Sequence, residues 1–588
     1  MTYTDSPTWD LESLLPGGLE GASYRDRMAG VEARLPDLIA RADALGAPGE
    51  DPAWVDVVLD LEAAYVELGQ PTAVLHCMAA ADTTDGRAQR ELGRASGLFS
   101  QWSRAWTWPQ SQLARATEEQ LRALLQHPDI APFEPWFRNM RAGAHLLLPP
   151  AEESLLADLD DPAMGAWSRS YRRISGRLRV ELGGEQLSPS QTYNLMDSPD
   201  ADLRRRAFEA TNAAWEAVED DCAEVLSNLC RTRTVVADRL GVDALAKPLH
   251  GHRLQASTLD ALIQACADAR PLMVRYGRAK AKLLGQERLH WRDLRAPVGA
   301  GSRTWTWAEG QRFVVEQMAT FSQDMADYAA DALARRHVES EDRGGKRAGA
   351  FCIGLHDAKE SRVFMTWGGT TTNVLTLAHE LGHAYHNHVM WDLHRASKRV
   401  PSTLAESAST FAEALVRGAA MQRATDDDER LALLDEDLNS ASVMLCNIPV
   451  RYAFDRALYD LRRKGPLDPR DLRETMVSLQ REWYGDALGE PDPMFWAAKM
   501  HFFLTRPFYN YPYTFGYLFS GLIWERAMAE GPAWAGAYRD LLRDTGAASC
   551  EEVALRHLGL DLHDPAAWSR ATAGLEARVA EFERLAAR

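Results

Sequence analysis

Apolar residues recur at intervals of three and four along most of this chain, which is the spacing of one face of a helix. The pattern is clearest in five segments, Asp51–Gln70, Thr117–Leu125, Asp260–Leu284, Ala308–Arg336 and Glu429–Leu461. Strand-like patterns are confined to Leu178–Gly183, Leu289–Ala296 and Ser361–Thr366. We therefore expect a mainly α protein that contains a small β element.

A change of pattern near residue 190 indicates a domain boundary. Within Leu187–Asp202 a Leu-Ser-Pro-Ser segment precedes a short helix, and Ser198–Asp200 is typical of the start of a new helix. We predict an N-terminal helical domain at 1–190 and a larger C-terminal domain at 191–588.

Composition and charge are those of a globular chain without a nucleic-acid partner. Of the 588 residues, 46% are hydrophobic and 26% are charged, and the formal net charge of -18 repels phosphate backbones. The seven cysteines are scattered and form no CxxC pair, which favours a reducing compartment. No apolar run reaches the ~18 residues of a membrane span, and the N-terminus has no secretory signal pattern. We expect a cytoplasmic protein with no membrane association.

The segment Thr376–His383 carries the strongest chemical signal, a His-Glu-x-x-His motif. A helix places residues four apart on one face, so His379 and His383 can bind one metal ion. Glu380 then lies beside the position of a metal-activated water molecule and can serve as its general base. The polar residues Thr370–Thr372 and the apolar residues after them predict that helix.

A metal site of this kind needs a third ligand. Asp392 follows His383 too closely for the chain to reverse, whereas Glu406 lies on a later predicted helix among small residues that allow a close approach. Glu413 lies two turns further along the same face and is well placed to orient a ligand histidine. Three further histidines of this region are expected either to be structural or to support the ligands from behind, but not to be ligands themselves: His386, His388 and His394.

The two segments TLAHELGHAYH and LAESASTFAE together resemble the oligoendopeptidase F group of the thimet oligopeptidase family. Arg347–Phe351 and the His/Tyr segment His501–Tyr513 are similar to that group as well. The resemblance implies an elongated, two-lobed, helical zincin-type peptidase with a deep central channel and a small β element beside the HExxH helix. It also implies one zinc ion per chain, bound by His379, His383 and Glu406, in a catalytic domain at 191–588.

The same resemblance implies an activity and further site residues. We expect hydrolysis of internal peptide bonds in short, unstructured oligopeptides, with no obligate protein partner. Tyr511 is the first choice as donor to the oxyanion, with His501 as its companion and Tyr509 and Tyr517 as further candidates. Arg362–Thr366 is expected to be an exposed strand edge to which the substrate adds.

Other functions remain open at this point. One is a metallocarboxypeptidase or dipeptidyl carboxypeptidase of the same fold, which needs a cationic group for the substrate's free C-terminus. Another is a catalytically silent, zinc-containing scaffold that binds peptides. The intact Glu380 argues against the scaffold, because a purely structural zinc site needs no base. Nucleotide-binding loops and serine-hydrolase motifs are absent from the sequence.

Overall fold

The computed structural model describes residues 8–299, 304–424 and 426–588. In these ranges the chain is mainly helical, with five short strands, so the predicted fold class is confirmed. Within the same ranges, no helix combines the length and the apolar character needed to cross a lipid bilayer.

The described residues contain the following helices, given in chain order. The first fourteen are α1 (Ala22–Asp43), α2 (Ala53–Ala81), α3 (Gly86–Arg115), α4 (Glu118–Leu125), α5 (Glu134–Ala142), α6 (Pro150–Asp160), α7 (Ala166–Arg177), α8 (Pro189–Asn194), α9 (Ala201–Glu216), α10 (Glu219–Leu240), α11 (Ala246–Gly251), α12 (Ala256–Leu283), α13 (Trp307–Ala319) and α14 (Gln323–Ala334). The others are α15 (Thr371–Val389), α16 (Ser402–Ala405), α17 (Ser409–Arg423), α18 (Asp427–Ser442), α19 (Ile448–Lys464), α20 (Pro469–Tyr484), α21 (Phe495–Ala498), α22 (Tyr511–Glu530), α23 (Ala535–Asp544), α24 (Cys550–Leu558), α25 (Pro565–Ser569) and α26 (Leu575–Ala586).

The strands form one hairpin and one small sheet. The hairpin pairs β1 (Val180–Leu182) with β2 (Glu185–Leu187), and the sheet contains β3 (Val338–Glu339), β4 (Phe351–Leu355) and β5 (Glu360–Phe364) in the order β3-β5-β4. Strand β5 runs parallel to β3 and antiparallel to β4. The sheet packs beside α15, the helix of the HExxH motif, as predicted.

The strand order corrects the expected substrate edge. Because β5 lies between β3 and β4, Val363 and Phe364 pair with a strand on both sides, and most of β5 is buried. Strand β4 pairs with β5 alone among the strands of the described residues, so Phe351–Leu355 is the longer of the two edge strands of this sheet. The expectation that Arg362–Thr366 is the exposed edge was wrong.

Two compact units are built from interleaved segments of the chain. The first comprises Met1–Ser154, Arg303–Ala419 and Ile523–Gly559, and the second comprises Leu155–Ser302, Ala420–Leu522 and Leu560–Arg588. The predicted boundary near residue 190 describes a division along the sequence, and it stays a prediction. The elongated two-lobed shape and the central channel likewise stay expectations from the resemblance.

Each unit has its own core. In the first, helices α1, α2 and α3 pack on one another through fully buried residues such as Met28, Leu61 and Leu98. In the second, α12 is central and packs on α18, α20 and α26. The second core also contains a buried ion pair, in which Lys280 Nζ lies 2.8 Å from Asp435 Oδ2. The Tyr276 hydroxyl donates to Asp435 Oδ1 at 2.6 Å, so the carboxylate is bound on both oxygens.

We expect Lys280→Met to lower the free energy of unfolding by about 3–5 kcal/mol, because Asp435 would keep its buried charge without a counter-ion. Urea unfolding followed by circular dichroism measures this change. Arg278→Met is the matched control, since Arg278 lies on the same helix and its pair with Asp486 is more than half exposed. We expect this control variant to lower the free energy of unfolding by less than about 1 kcal/mol. Equal losses in the two variants would contradict the prediction.

Candidate active site

Helix α15 holds the two histidines of the motif. It begins with a reciprocal cap, in which the Thr370 side chain accepts from the Asn373 backbone N–H and the Asn373 side chain accepts from that of Thr370. The apolar face that includes Val374 and Leu377 is buried. The rings of His379 and His383 therefore project together from the opposite side, with centroids 4.9 Å apart and planes at 84°.

Glu406 completes a three-ligand cluster. It directly follows α16, and its Oε2 lies 3.3 Å from His379 Nε2 and 3.4 Å from His383 Nε2. The Ser409 hydroxyl donates to the same oxygen at 2.7 Å, which fixes the orientation of the carboxylate. One ligand atom from each of the three residues lies within 4.8 Å of the others, so the cluster could hold a single metal ion. The structure thus brings together the three residues that the sequence suggested as ligands.

A glycine allows this close approach. A Cβ atom at Gly382 would lie 2.7 Å from both the Ala408 carbonyl oxygen and the Ser409 Cα, and 2.9 Å from the Ala412 Cβ. The backbone just after Glu406 therefore rests directly on the HExxH helix, at a distance that only a hydrogen side chain permits. The small residues noted in the sequence serve this contact.

Glu413 contacts the first histidine from behind. Its Oε2 lies 3.1 Å from His379 Nδ1, and its other oxygen is bound by Arg417. This is the orienting position that the sequence suggested for it. Burial alone would lower the pKa of His379, but hydrogen bonds to Glu406 and Glu413 raise that pKa to about 10. Burial opposes ionisation of Glu406 too, yet the two histidines hold its pKa well below the ordinary value.

Glu380 lies beside this cluster, but its carboxylate is not hydrogen-bonded in the way that the carboxylate of Glu406 is. Only 6% of its surface is exposed, and its Oε2 has no hydrogen-bond partner within the described ranges. Burial raises the pKa of this carboxyl group above its ordinary value. A carboxylate of raised pKa and with a free oxygen can accept a proton, which is the role expected of the motif's glutamate.

The cluster opens into a cleft of about 480 Å³. One wall is strand β4, from Phe351 to Gly354, and another is helix α15. Of the other histidines, His386 lines the cleft but its Nε2 lies 2.8 Å from the Thr545 hydroxyl, whereas His388 stacks on Tyr328 and His394 packs on Phe133. The cleft therefore contains both the candidate metal ligands and the free strand edge.

The His/Tyr segment lies in the second compact unit. His501 Nδ1 is 2.9 Å from Asn510 Oδ1, and the His501 ring contacts those of Tyr509 and Tyr513 at 5.2 and 6.1 Å between centroids. Tyr509 is 39% exposed and is the most open of these rings. The structure thus groups His501 with Tyr509 and Tyr513.

Tyr511 lies apart from that ring cluster. It is fully buried, and its hydroxyl lies 2.7 Å from His252 Nδ1. Burial, followed by the charge of Arg506, lowers the pKa of His252 to about 4, so the imidazole is neutral at pH 7. Sequence reasoning did not find His252, because no motif or spacing links residues 259 positions apart. The roles of His501, Tyr509, Tyr511 and Tyr517 stay predictions.

Comparison with known sequences gives a consistent result over nearly the whole chain. The sequence profile described as peptidase family M3 matches residues 194–574, and the one described as oligopeptidase F matches residues 112–179. Oligopeptidase PepF of Bacillus subtilis is 22% identical, over 98% of this chain and 87% of the relative. Group B oligopeptidase PepB of Streptococcus agalactiae is 24% identical, over 86% of each chain.

Solved structures share the fold. The crystal structure of oligoendopeptidase-F from Enterococcus faecium superposes with a TM-score of 0.72, at 20% identity, over 96% of this chain and 98% of that chain.

We expect Gly382→Ala to weaken the binding of added Zn²⁺ at least tenfold, because the new methyl group would push the backbone after Glu406 away from both histidines. Competition with a chromophoric chelator measures the affinity. Gly418→Ala is the matched control, since its nearest atom would be a Trp524 ring carbon at 3.7 Å. Unchanged affinity in folded Gly382→Ala protein would contradict the prediction.

Proposed function

Because the chain belongs to peptidase family M3 and is therefore a metallopeptidase, we propose that it is a zinc-dependent endopeptidase of short, unstructured oligopeptides. The observation that carries the proposal is the cluster of His379, His383 and Glu406 with the unpartnered Glu380 carboxylate beside it. Two relatives are named oligopeptidases, which agrees with the proposed substrate class.

The donor set fits one zinc ion. Two imidazole Nε2 atoms and one carboxylate are the ligands of open, catalytic zinc sites, and Glu413 behind His379 supplies the orienting carboxylate. Bound zinc would polarise the scissile carbonyl and lower the pKa of water in the site. His379 carries a proton at neutral pH where no metal is bound, and it must release that proton to become a ligand.

Glu380 is the proposed general base. Its buried, unpartnered Oε2 would accept the proton of the attacking water and then pass it to the leaving amine. Burial raises its pKa, which makes it a stronger base than an exposed glutamate. The carboxylate stays near the reacting atoms because α15 carries it next to the ligand His379.

Strand β4 is the proposed binding edge for the substrate. It is an edge strand and four of its residues line the cleft, so we propose that an extended peptide adds there through main-chain hydrogen bonds. Such bonds are the same for every sequence except proline, and they require a chain that is not folded. We therefore propose low sequence preference and a restriction to unstructured peptides.

The His/Tyr segment is the proposed source of a hydrogen-bond donor to the oxyanion. His501, Tyr509 and Tyr511 are the residues we propose. Tyr511 is buried against His252, so it can act on a substrate only if that contact opens. His501 and Tyr509 are more exposed than Tyr511.

Two further expectations become proposals. We propose a division of the sequence into a helical domain at 1–190 and a catalytic domain at 191–588, which is supported by family profiles that match 112–179 and 194–574. We also propose a cytoplasmic location, because each of the seven cysteines is an unpaired thiol.

We expect cleavage of internal bonds when a pool of short peptides is incubated with the zinc-loaded protein, whether the C-termini are free or amidated. Mass spectrometry of the products measures this directly. Glu380→Gln should lower turnover about 10²–10⁴-fold while the zinc content stays the same, because the base is lost and the ligands are not.

Each alternative function would give a different result in this experiment. Cleavage of free but not amidated peptides would indicate a carboxypeptidase or dipeptidyl carboxypeptidase. A zinc-loaded protein that cuts nothing would indicate a silent peptide-binding scaffold.

We expect the apparent affinity for Zn²⁺ to fall about tenfold per pH unit between about pH 9 and pH 7. The pKa of His379 is raised, so the competing proton binds more tightly as the pH falls and the metal binds more weakly. Chelator competition across this range gives the slope. Glu413→Gln should give a shallower slope, because one of the two carboxylates that stabilise the proton is removed. A slope of zero in the unaltered protein would refute the prediction.

A further inference from the structure

The second compact unit contains a cavity of about 460 Å³ that the proposed hydrolysis does not use. It lies among α8, α9, α18, α19 and the segment that carries α21. Six aromatic side chains line it: Tyr193, Phe208, Trp215, Trp291, Tyr484 and Phe495. The volume and the aromatic lining are those of a site for a small organic ligand.

Three of the charged groups in the lining are already engaged. Arg292 pairs with Glu490, and Arg295 pairs with Asp197. The Asp492 carboxylate accepts the backbone N–H of Met494 at 3.0 Å. The two arginines are therefore balanced by carboxylates, whereas among the described residues Asp492 makes hydrogen bonds only, and burial raises the pKa of its carboxyl group to about 7.

Arg451 and Lys499 are different, because neither makes an ion pair within the described ranges. Arg451 is 7% exposed, and its Nε has no partner among the described residues. Its Nη1 reaches Asn510 Oδ1 at a long 3.4 Å, and the neighbouring Asp455 contacts that asparagine rather than the guanidinium. A buried guanidinium normally binds a carboxylate or phosphate, since leaving it unpaired is costly.

Both cations lie near the ring of Phe495, which lines the cavity. Arg451 Cζ and Lys499 Nζ are 5.4 and 5.6 Å from the centre of the Phe495 ring. Burial, followed by the charges of Arg451 and Arg295, lowers the pKa of Lys499 to about 7. Burial also lowers the pKa of Arg451 to about 10. An anion placed beside both would stabilise their charged forms and could accept a hydrogen bond from the free Nε of Arg451.

One side-chain acceptor in the polar part of the lining, the buried Oδ1 atom of Asn447, has no partner among the described residues. It can accept one N–H from a bound molecule. The cavity therefore offers a place for one carboxylate, one amide N–H and one apolar side chain.

We infer that this cavity binds an acylated amino acid with a free carboxylate and an apolar or aromatic side chain. The carboxylate would bind Arg451 and Lys499, the amide N–H would bind Asn447, and the side chain would pack among the aromatic rings. Two sources share this chemistry, a free N-acylamino acid and the C-terminal residue of a peptide. The inference goes beyond hydrolysis, because the binding needs no metal and no general base.

The test is isothermal titration calorimetry of the full chain in the Glu380→Gln background, so that no probe is hydrolysed. The probes are N-acetylphenylalanine, its amide and N-acetyl-alanyl-phenylalanine. We expect the acid to bind at least thirtyfold more tightly than the amide, since only the acid can pair with the two cations. If N-acetyl-alanyl-phenylalanine binds as tightly as N-acetylphenylalanine, the ligand is the C-terminus of a peptide. If it binds at least tenfold more weakly, the ligand is a free acylamino acid.

Two variants and a matched control locate the site. Arg451→Met and Lys499→Met should each lower the affinity for N-acetylphenylalanine at least tenfold, while the helical circular dichroism signal is retained. Arg456→Met removes the same charge from α19 at an exposed pair with Asp243, and should change the affinity less than twofold. If the acid instead bound to the active-site metal, its affinity would be unchanged in all three variants.

Three results would overturn the inference. Equal affinity for acid and amide would mean that the carboxylate is not recognised. Unchanged affinity in both Arg451→Met and Lys499→Met would place the ligand elsewhere. The third result is that chloride binds, whereas the acid does not bind even in a chloride-free buffer. The cavity would then be a site for an inorganic anion.

Discussion

The active-site region depends on one close contact, in which the backbone of Ala408 and Ser409 rests on Gly382. This contact brings the carboxylate of Glu406 between two histidines that belong to another helix. Without it, the HExxH helix would offer two ligands, and two ligands hold a metal ion poorly. The same contact explains why protons and metal compete here, because a carboxylate so close to two imidazoles stabilises any positive charge placed among them.

The buried cations of the second compact unit have two kinds of surroundings. Lys280 meets Asp435 and Tyr276, and these three groups satisfy one another. Arg451 and Lys499 meet an aromatic cavity instead of a carboxylate. The first arrangement contributes to folding, whereas the second leaves a cost that only a bound anion would offset.

The metal cluster could be predicted from the sequence because its signals are local. The four-residue spacing of His379 and His383 follows from helical geometry. Glu406 lies in the turn after α16, and Glu413 lies on α17, so both follow soon after the motif in the chain. The substrate edge was predicted on the wrong strand, because β3 is only two residues long and carries no pattern that would reveal its pairing with β5. The contact of Tyr511 with His252 and the aromatic cavity join distant segments, so only the folded chain reveals them.

The free edge of β4 also limits how firmly a bound chain is retained. A strand of five residues has at most a few main-chain groups that point outward, since successive N–H and C=O groups alternate between its two sides. A ligand attached by so few bonds dissociates readily, and each fragment of a cut chain would hold only part of them. A short edge therefore favours rapid exchange of successive chains. It also lowers the risk that the exposed strand nucleates association between copies of the protein.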